Sequence, residues 1–295
     1  MSAHPPRIDR GRARAQTRGS FLAMSATVIV LGAACSSGTG GRAIRFSMGV
    51  APAPESVSTF VTTTGWSVTL EEACMAIGPI YLYANPSLLA PAEASLLAPA
   101  ETTHRRGPLG RVADWLVPPA FAHGGDAHYN GGEVRGEWVE QVAFDALAPA
   151  GIDLGATNGL AGPARSFSLL LLPPRPTARG DTACLRGHHA YARGAARKGE
   201  TTVPFEGGLD IENKGTFRSV DGIPLDAQLD DGVRITVRLH TRAWFDDAHF
   251  DRLTERNADG RFVITAESQV AAAWFAGARA YKTFSADMTR GGEPR

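Results

Sequence analysis

From Val233 to Leu239 the chain alternates without a break. Val233, Ile235, Val237 and Leu239 are apolar, the intervening Arg234, Thr236 and Arg238 are polar, and His240 continues the polar set. A side-chain period of two belongs to a strand with one buried face, and a helix cannot satisfy it. Short extended segments recur at Ala43 to Val50, Val57 to Thr64, Trp66 to Leu70, Glu133 to Val139, Arg165 to Leu172, His188 to Arg193, Thr201 to Phe205, Gly208 to Glu212 and Gly215 to Val220. The pairs Asp221-Gly222, Asp231-Gly232 and Asp259-Gly260 read as turns of antiparallel hairpins. No helical pattern recurs between strands, which disfavours a doubly wound parallel sheet. The expected fold is mainly β: an antiparallel β-sandwich or distorted barrel.

Two stretches are ambiguous. Met75 to Tyr83 reads as a strand interrupted by Gly78-Pro79, which favours an edge or a bulge over a central position. A helix beginning at Leu70-Glu71-Glu72-Ala73 is the competing assignment. Gln141 to Ala148 either completes the preceding strand or forms one turn of helix. The best helix is C-terminal, Glu267 to Tyr281, with Val270, Ala273, Trp274 and Tyr281 on one stripe, Phe284 three beyond, and Ser268 as a cap. Gly277 falls on that stripe at about 1 kcal/mol of helix propensity relative to alanine, so it marks close packing or weakens the helix.

Residues 84–131 break the strand pattern with Pro86, Pro91, Pro99, Pro108, Pro118 and Pro119, then His123-Gly-Gly-Asp-Ala-His128. A long irregular insertion in a compact domain is either functional or without fixed structure. A glycine-bearing turn can fold His123 and His128 toward one ion with Asp126 between them, the donor set of a zinc or copper site. His240, or one of His188 and His189, would supply a further ligand. The pattern is not that of zinc peptidases, because Gly124 rather than glutamate follows His123.

Other motifs are weaker. Trp244-Phe245-Asp246-Asp247-Ala248-His249-Phe250 reads either as a short helical turn packed over a sheet end or as a ligand-binding rim using Trp244, Asp246 and His249. Asn257, Asp259 and Gly260 align with part of a calcium loop, but its twelfth position falls on Ala266, so a hairpin turn is the better account. Neither a nucleophile elbow nor a phosphate-cradling glycine loop is present.

The N-terminus carries an address. Arg7, Arg10, Arg12, Arg14 and Arg18 precede an apolar stretch from Phe21 to Ala34, followed by Cys35 and Ser36-Ser37-Gly38. The stretch is short for a bilayer span and suits the apolar region of a signal peptide. It resembles a bacterial lipoprotein signal, and the chain is similar in this respect to uncharacterised bacterial cell-envelope lipoproteins. The resemblance implies that Cys35 becomes the lipidated (palmitate-bearing) first residue of a periplasmic or outward-facing protein; simple secretion is the alternative. The domain plan is then 1–34 signal peptide, 35–42 flexible tether, 43–288 one β-rich domain with the irregular insertion, and 289–295 flexible tail.

Removing that leader's five arginines and one aspartate from a balanced chain leaves a net charge near −4. Phosphate contact needs concentrated positive charge, so nucleic acid is an unsuitable partner. In an oxidising compartment the remaining Cys74 and Cys184 form an even pair and an expected disulfide. The expected function is that of a noncatalytic envelope lipoprotein, binding an envelope protein or small ligand or acting structurally. The alternatives are a periplasmic transition-metal-binding protein using His123 and His128 and, disfavoured for want of a nucleophile motif, an envelope-acting hydrolase.

Overall fold

The computed structural model describes residues 41–57, 59–87, 129–211 and 218–290. Its strands are, in chain order, β1 (Ala43–Pro52), β2 (Phe60–Val61), β3 (Ser67–Ile77), β4 (Ile80–Tyr83), β5 (Val134–Trp138), β6 (Val142–Asp145), β7 (Ile152–Leu160) and β8 (Gly162–Leu170). There follow β9 (Arg179–Gly180), β10 (Ala190–Lys198), β11 (Thr201–Leu209), β12 (Ser219–Leu229), β13 (Val233–Leu239), β14 (Phe262–Val263), the helix α1 (Gln269–Ala278) and β15 (Phe284–Arg290). Eight strands in the order β12-β8-β4-β5-β7-β1-β13-β15 make a nearly closed barrel. A second sheet runs β14-β11-β10-β3-β6-β9, with β2 paired to β3. Pairing is mostly antiparallel; β1–β13, β11–β14 and β6–β9 are parallel. Among the described residues, no helix is long and apolar enough to cross a membrane.

One continuous apolar core joins the two sheets. Phe46, Met48, Leu82, Phe167 and Ile235 reach it from the barrel, and Val68, Met75, Phe144 and Phe205 from the second sheet. The end of β3 shows why its sequence is hard to read. Ala73, Met75 and Ile77 face this core, whereas Cys74 and Ala76 face a separate apolar cluster with Ala143 and Leu185. Both faces are covered, so the run is apolar throughout and the period of two disappears from the sequence. The strand assignment therefore prevails over the helix.

Gly78-Pro79 sits at neither an edge nor a bulge. The chain leaves β3, which lies between β10 and β6, and enters β4, which lies between β8 and β5. The pair is a crossover between sheets. Gln141 to Ala148 likewise belongs to the second sheet through β6 rather than continuing β5.

Two of the three Asp-Gly pairs do not make hairpins. Asp221-Gly222 lies inside β12 where the register against β8 shifts between Val220 and Ile223, and Gly222 takes φ +67°, the left-handed conformation a glycine accepts without penalty. Asp231-Gly232 turns the chain between β12 and β13, but the ladder partners of β13 are β1 and β15. Asp259-Gly260 does close a tight turn: Arg256 bridges Phe262, and Asn257 Oδ1 accepts the Asp259 and Arg261 amides at 3.0 and 2.9 Å.

The C-terminal helix is shorter than its stripe suggests. Ser268 caps α1, its hydroxyl accepting the Ala271 amide at 3.1 Å, and Val270, Trp274 and Gly277 are buried. A methyl group on Gly277 would fall on the Ala243 carbonyl oxygen, so the glycine marks close packing. Tyr281 is 46% exposed, and Phe284 begins a strand instead of extending the helix stripe. Phe284, Ala286 and Met288 contact the core while Ser285, Asp287 and Thr289 face outward, and the strand reaches Arg290, past the expected tail boundary.

The disulfide forms between Cys74 on β3 and Cys184, with Cα atoms 6.0 Å apart across 110 residues of chain. Cys184 lies on a 3₁₀ turn, Ala183–Leu185, rather than on a strand.

Candidate functional site

Three residues remote in sequence meet on the outer face at the barrel's β13–β15 seam. His240 directly follows β13, Ser285 is the second residue of β15, and Glu55 lies on a 3₁₀ turn, Pro54–Val57, just after β1. The ladder that aligns Leu239 with Phe284 and Arg238 with Ser285 continues into a bond from the His240 amide to the Thr283 carbonyl, 2.9 Å. Parallel pairing of β1 with β13 brings the following turn alongside: Ser56 Oγ donates to the Leu239 carbonyl at 2.8 Å and accepts the Thr241 amide at 3.1 Å.

The side chains form a linear relay. His240 Nδ1 hydrogen-bonds Glu55 Oε1, and His240 Nε2 lies 2.8 Å from Ser285 Oγ. An ionised carboxylate can only accept, so Nδ1 donates to Glu55, and in the neutral tautomer this leaves Nε2 to accept the serine hydroxyl. His240 is 26% exposed and Glu55 49% exposed, so the relay is reachable from solvent. Partial burial would raise the Glu55 pKa, yet its own backbone amide, the bond to His240, and the charges of His240 and Arg238 together hold it below 4.5. Arg238 binds Asp287 and donates to the Pro52 carbonyl at 3.3 Å. The constellation combines a hydroxyl, a base and an orienting carboxylate, as general-base activation of a serine requires.

A second histidine group occupies the other sheet. Asp210 Oδ2 lies 2.7 Å from His188 Nδ1, and Asp210 Oδ1 lies 3.3 Å from His189 Nδ1. The Ile211 amide also approaches His189 Nδ1, at 3.4 Å, and one ring nitrogen serves only one of these bonds at a time. Burial lowers the His189 pKa despite Asp210, with Arg218 and His188 acting in the same direction as burial. Asp210 is partly buried, which alone would raise its pKa, but the hydrogen bonds and charges of both histidines bring it below 3.8.

The residues singled out in the sequence are distributed differently. His123, Asp126 and His128 lie outside the described residues, as does Cys35. Among the described residues no group of three or more His, Cys, Asp or Glu is arranged to hold a metal ion. Both ring nitrogens of His240 are occupied by Glu55 and Ser285. Trp244 is buried, its ring 5.5 Å from Trp274, and offers no open stacking plane. Asp246 pairs with Lys282 Nζ at 2.5 Å, and the His249 amide donates to Gln269 Oε1 at 2.8 Å. Trp244, Phe245 and Phe250 thus pack beneath the helix and sheet end as a structural cluster.

No motif along the chain links Glu55 and Ser285 to His240. The alternation of Phe284, Ala286 and Met288 was a usable signal for β15 and hence for an outward Ser285. Open surface depressions occur elsewhere, one lined by Leu253, Glu255, Val263 and Ser268 and one by Trp138, Glu140, Leu154 and Arg179; the relay lines neither. Comparison with protein-family models, with curated proteins and with solved structures finds no match to this chain.

Proposed function

We propose that this chain is an exported, lipid-anchored cell-envelope protein whose β body serves a binding or structural role, with an envelope protein or small ligand as partner. The observation that carries this reading is the Cys74–Cys184 disulfide. Such bonds persist in oxidising compartments and are rare in the cytosol. With those two thiols paired, Cys35 remains as the odd cysteine, at the position a lipoprotein-type leader presents for lipidation.

The rim of the barrel supplies a place for recognition. The insertion leaves β4 and returns to β5 at adjacent points: the Asn85 amide donates to the Gly131 carbonyl at 3.0 Å, and the Ala84 amide to Glu133 at 3.0 Å. Tyr129 hydrogen-bonds Ser166, which donates to the Asn85 carbonyl at 2.6 Å, so the base of the insertion is fastened to β8. A loop fastened at its base varies without rebuilding the core.

Fractionation of native cells followed by mass spectrometry of the N-terminal peptide tests the assignment. A diacylglyceryl-modified Cys35 in the membrane fraction, lost in Cys35→Ala, is the expected result. Full-length cytosolic protein retaining Met1, with Cys74 and Cys184 reduced, would refute it.

A further inference from the structure

We infer that Glu55, His240 and Ser285 form a nucleophilic serine site that reacts with small, unhindered carboxylic esters at the outer face of the barrel. This activity goes beyond the anchored-scaffold reading and stands whether or not Cys35 carries lipid. It rests on three features of the relay. Ser285 Oγ is within hydrogen-bonding distance of a histidine nitrogen, 2.8 Å, and with Nδ1 donating to Glu55 that nitrogen is the acceptor in the neutral tautomer. Carboxylate, ring and hydroxyl come from three different elements whose relative positions are fixed by the β1–β13–β15 ladder, so the alignment does not depend on a single loop. Arg238, the ladder partner of Ser285, places a cation on the same face.

The chemistry balances without an added cofactor. Ser285 Oγ attacks the ester carbonyl carbon while its proton passes to His240 Nε2, giving a tetrahedral oxyanion and an imidazolium paired with Glu55. The carbon–oxygen bond to the alcohol breaks, and the leaving oxygen takes the proton from Nε2. Water then attacks the acyl-Ser285 ester, losing a proton to Nε2, and the departing Ser285 oxygen recovers it as the acid is released. Arg238, on the same face but ion-paired with Asp287, contributes a partly neutralised positive charge near the oxyanion. Glu55 is a positioning residue: it fixes the tautomer and stabilises the imidazolium.

The open strand face selects the substrate class. The relay lines neither of the two open depressions described above, and a short acyl group presented on a larger molecule needs no deep pocket to reach a partly exposed serine.

The test uses the disulfide-bonded protein with a fluorophosphonate probe and with p-nitrophenyl acetate. The expected result is a probe adduct mapped to Ser285 and ester turnover that saturates with substrate. Adduct formation and turnover should both be absent in Ser285→Ala and about 100-fold slower in His240→Gln, the scale of general-base assistance. Glu55→Gln should slow both, and Glu55→Asp should restore part of the rate at an unchanged melting temperature, which a purely structural role for Glu55 would not produce. Absence of a Ser285 adduct in the wild-type protein overturns the proposal without recourse to any variant. So does an adduct that forms at the same rate in a folded His240→Gln protein.

Discussion

Two carboxylate–histidine groups lie on different sheets, and they use the same chemistry in opposite ways. At Asp210, two histidines converge on one carboxylate, and His189 is only 7% exposed with no hydrogen-bond partner at Nε2 among the described residues. At Glu55, one histidine bridges a half-exposed carboxylate to a part-buried hydroxyl. The first arrangement leaves His189 Nε2 without a partner among the described residues, and it belongs to a stapled corner: the His188 amide donates to the Leu185 carbonyl at 2.9 Å, next to Cys184. The second has both ends of the imidazole engaged and its carboxylate half exposed. What distinguishes a reactive histidine from a structural one here is therefore the partner of its far nitrogen, more than the carboxylate both possess.

The largest expected effect separates stability from reactivity. Replacing Cys74 and Cys184 by alanine should lower unfolding free energy by about 2–5 kcal/mol in a denaturant titration, the usual range for loss of a native disulfide. The reaction rate of Ser285 in the still-folded variant should be unchanged, because the relay sits on the other sheet. A parallel fall in that rate would show that the two regions are coupled and break the comparison.

Next come the histidines themselves. His240→Gln should slow the Ser285 reaction about 100-fold, close to 2.7 kcal/mol of barrel-surface chemistry at 1.36 kcal/mol per factor of ten. His188→Gln should leave it unaffected, as measured by the same probe-labelling rates. Equal effects from both would remove the distinction drawn between them.

A smaller change sharpens the account of how His240 is held. Thr283 Oγ1 donates to the Gly277 carbonyl at 2.5 Å, and the Thr283 carbonyl accepts the His240 amide. Gly277→Ala would push α1 from Ala243 and Trp244, an overpacking of about 1–3 kcal/mol by thermal or chemical denaturation. Labelling of Ser285 should slow with it, since the displaced segment begins immediately after His240.

The smallest effect is in pH dependence. The unfolded chain protonates His189 near its ordinary 6.5, whereas the folded chain, with a lowered pKa, does so only at lower pH. Between those values the unfolded state binds more protons, so stability present above 6.5 is lost as pH falls through the folded pKa. Asp210 adds a second loss below its ordinary 3.8, again as pH falls through its lower folded value. Denaturation midpoints measured from pH 7 downward should show the first slope in the wild type and lack it in His189→Gln.

The strand-rich character was legible wherever one face is buried and the other wet. β13 is the clearest instance, with Val233, Ile235, Val237 and Leu239 all buried. Where both faces are covered, as in Ala73 to Ile77, alternation gives no guidance and strand and helix look alike. Gly78-Pro79 and Asp221-Gly222 carry ordinary turn chemistry, yet a crossover between sheets and a bulge use the same residues as an edge or a hairpin. Trp244 illustrates the corresponding limit for sites: an aromatic beside acids reads first as core and second as rim, and burial decides for the core.

By itself the sequence determined the β class, the helix cap at Ser268 and the even pair of cysteines after Cys35, because each follows from local periodicity, local sterics or simple parity. Tertiary structure alone decided that Cys74 reaches Cys184, that β13 pairs with β1 and β15 rather than β12, and that His240 lies between Glu55 and Ser285. Those last contacts join residues 45 to 185 positions apart. Contacts at such separations are set by which strand edges find one another as the common core is buried, and that choice leaves no short-range mark on the chain.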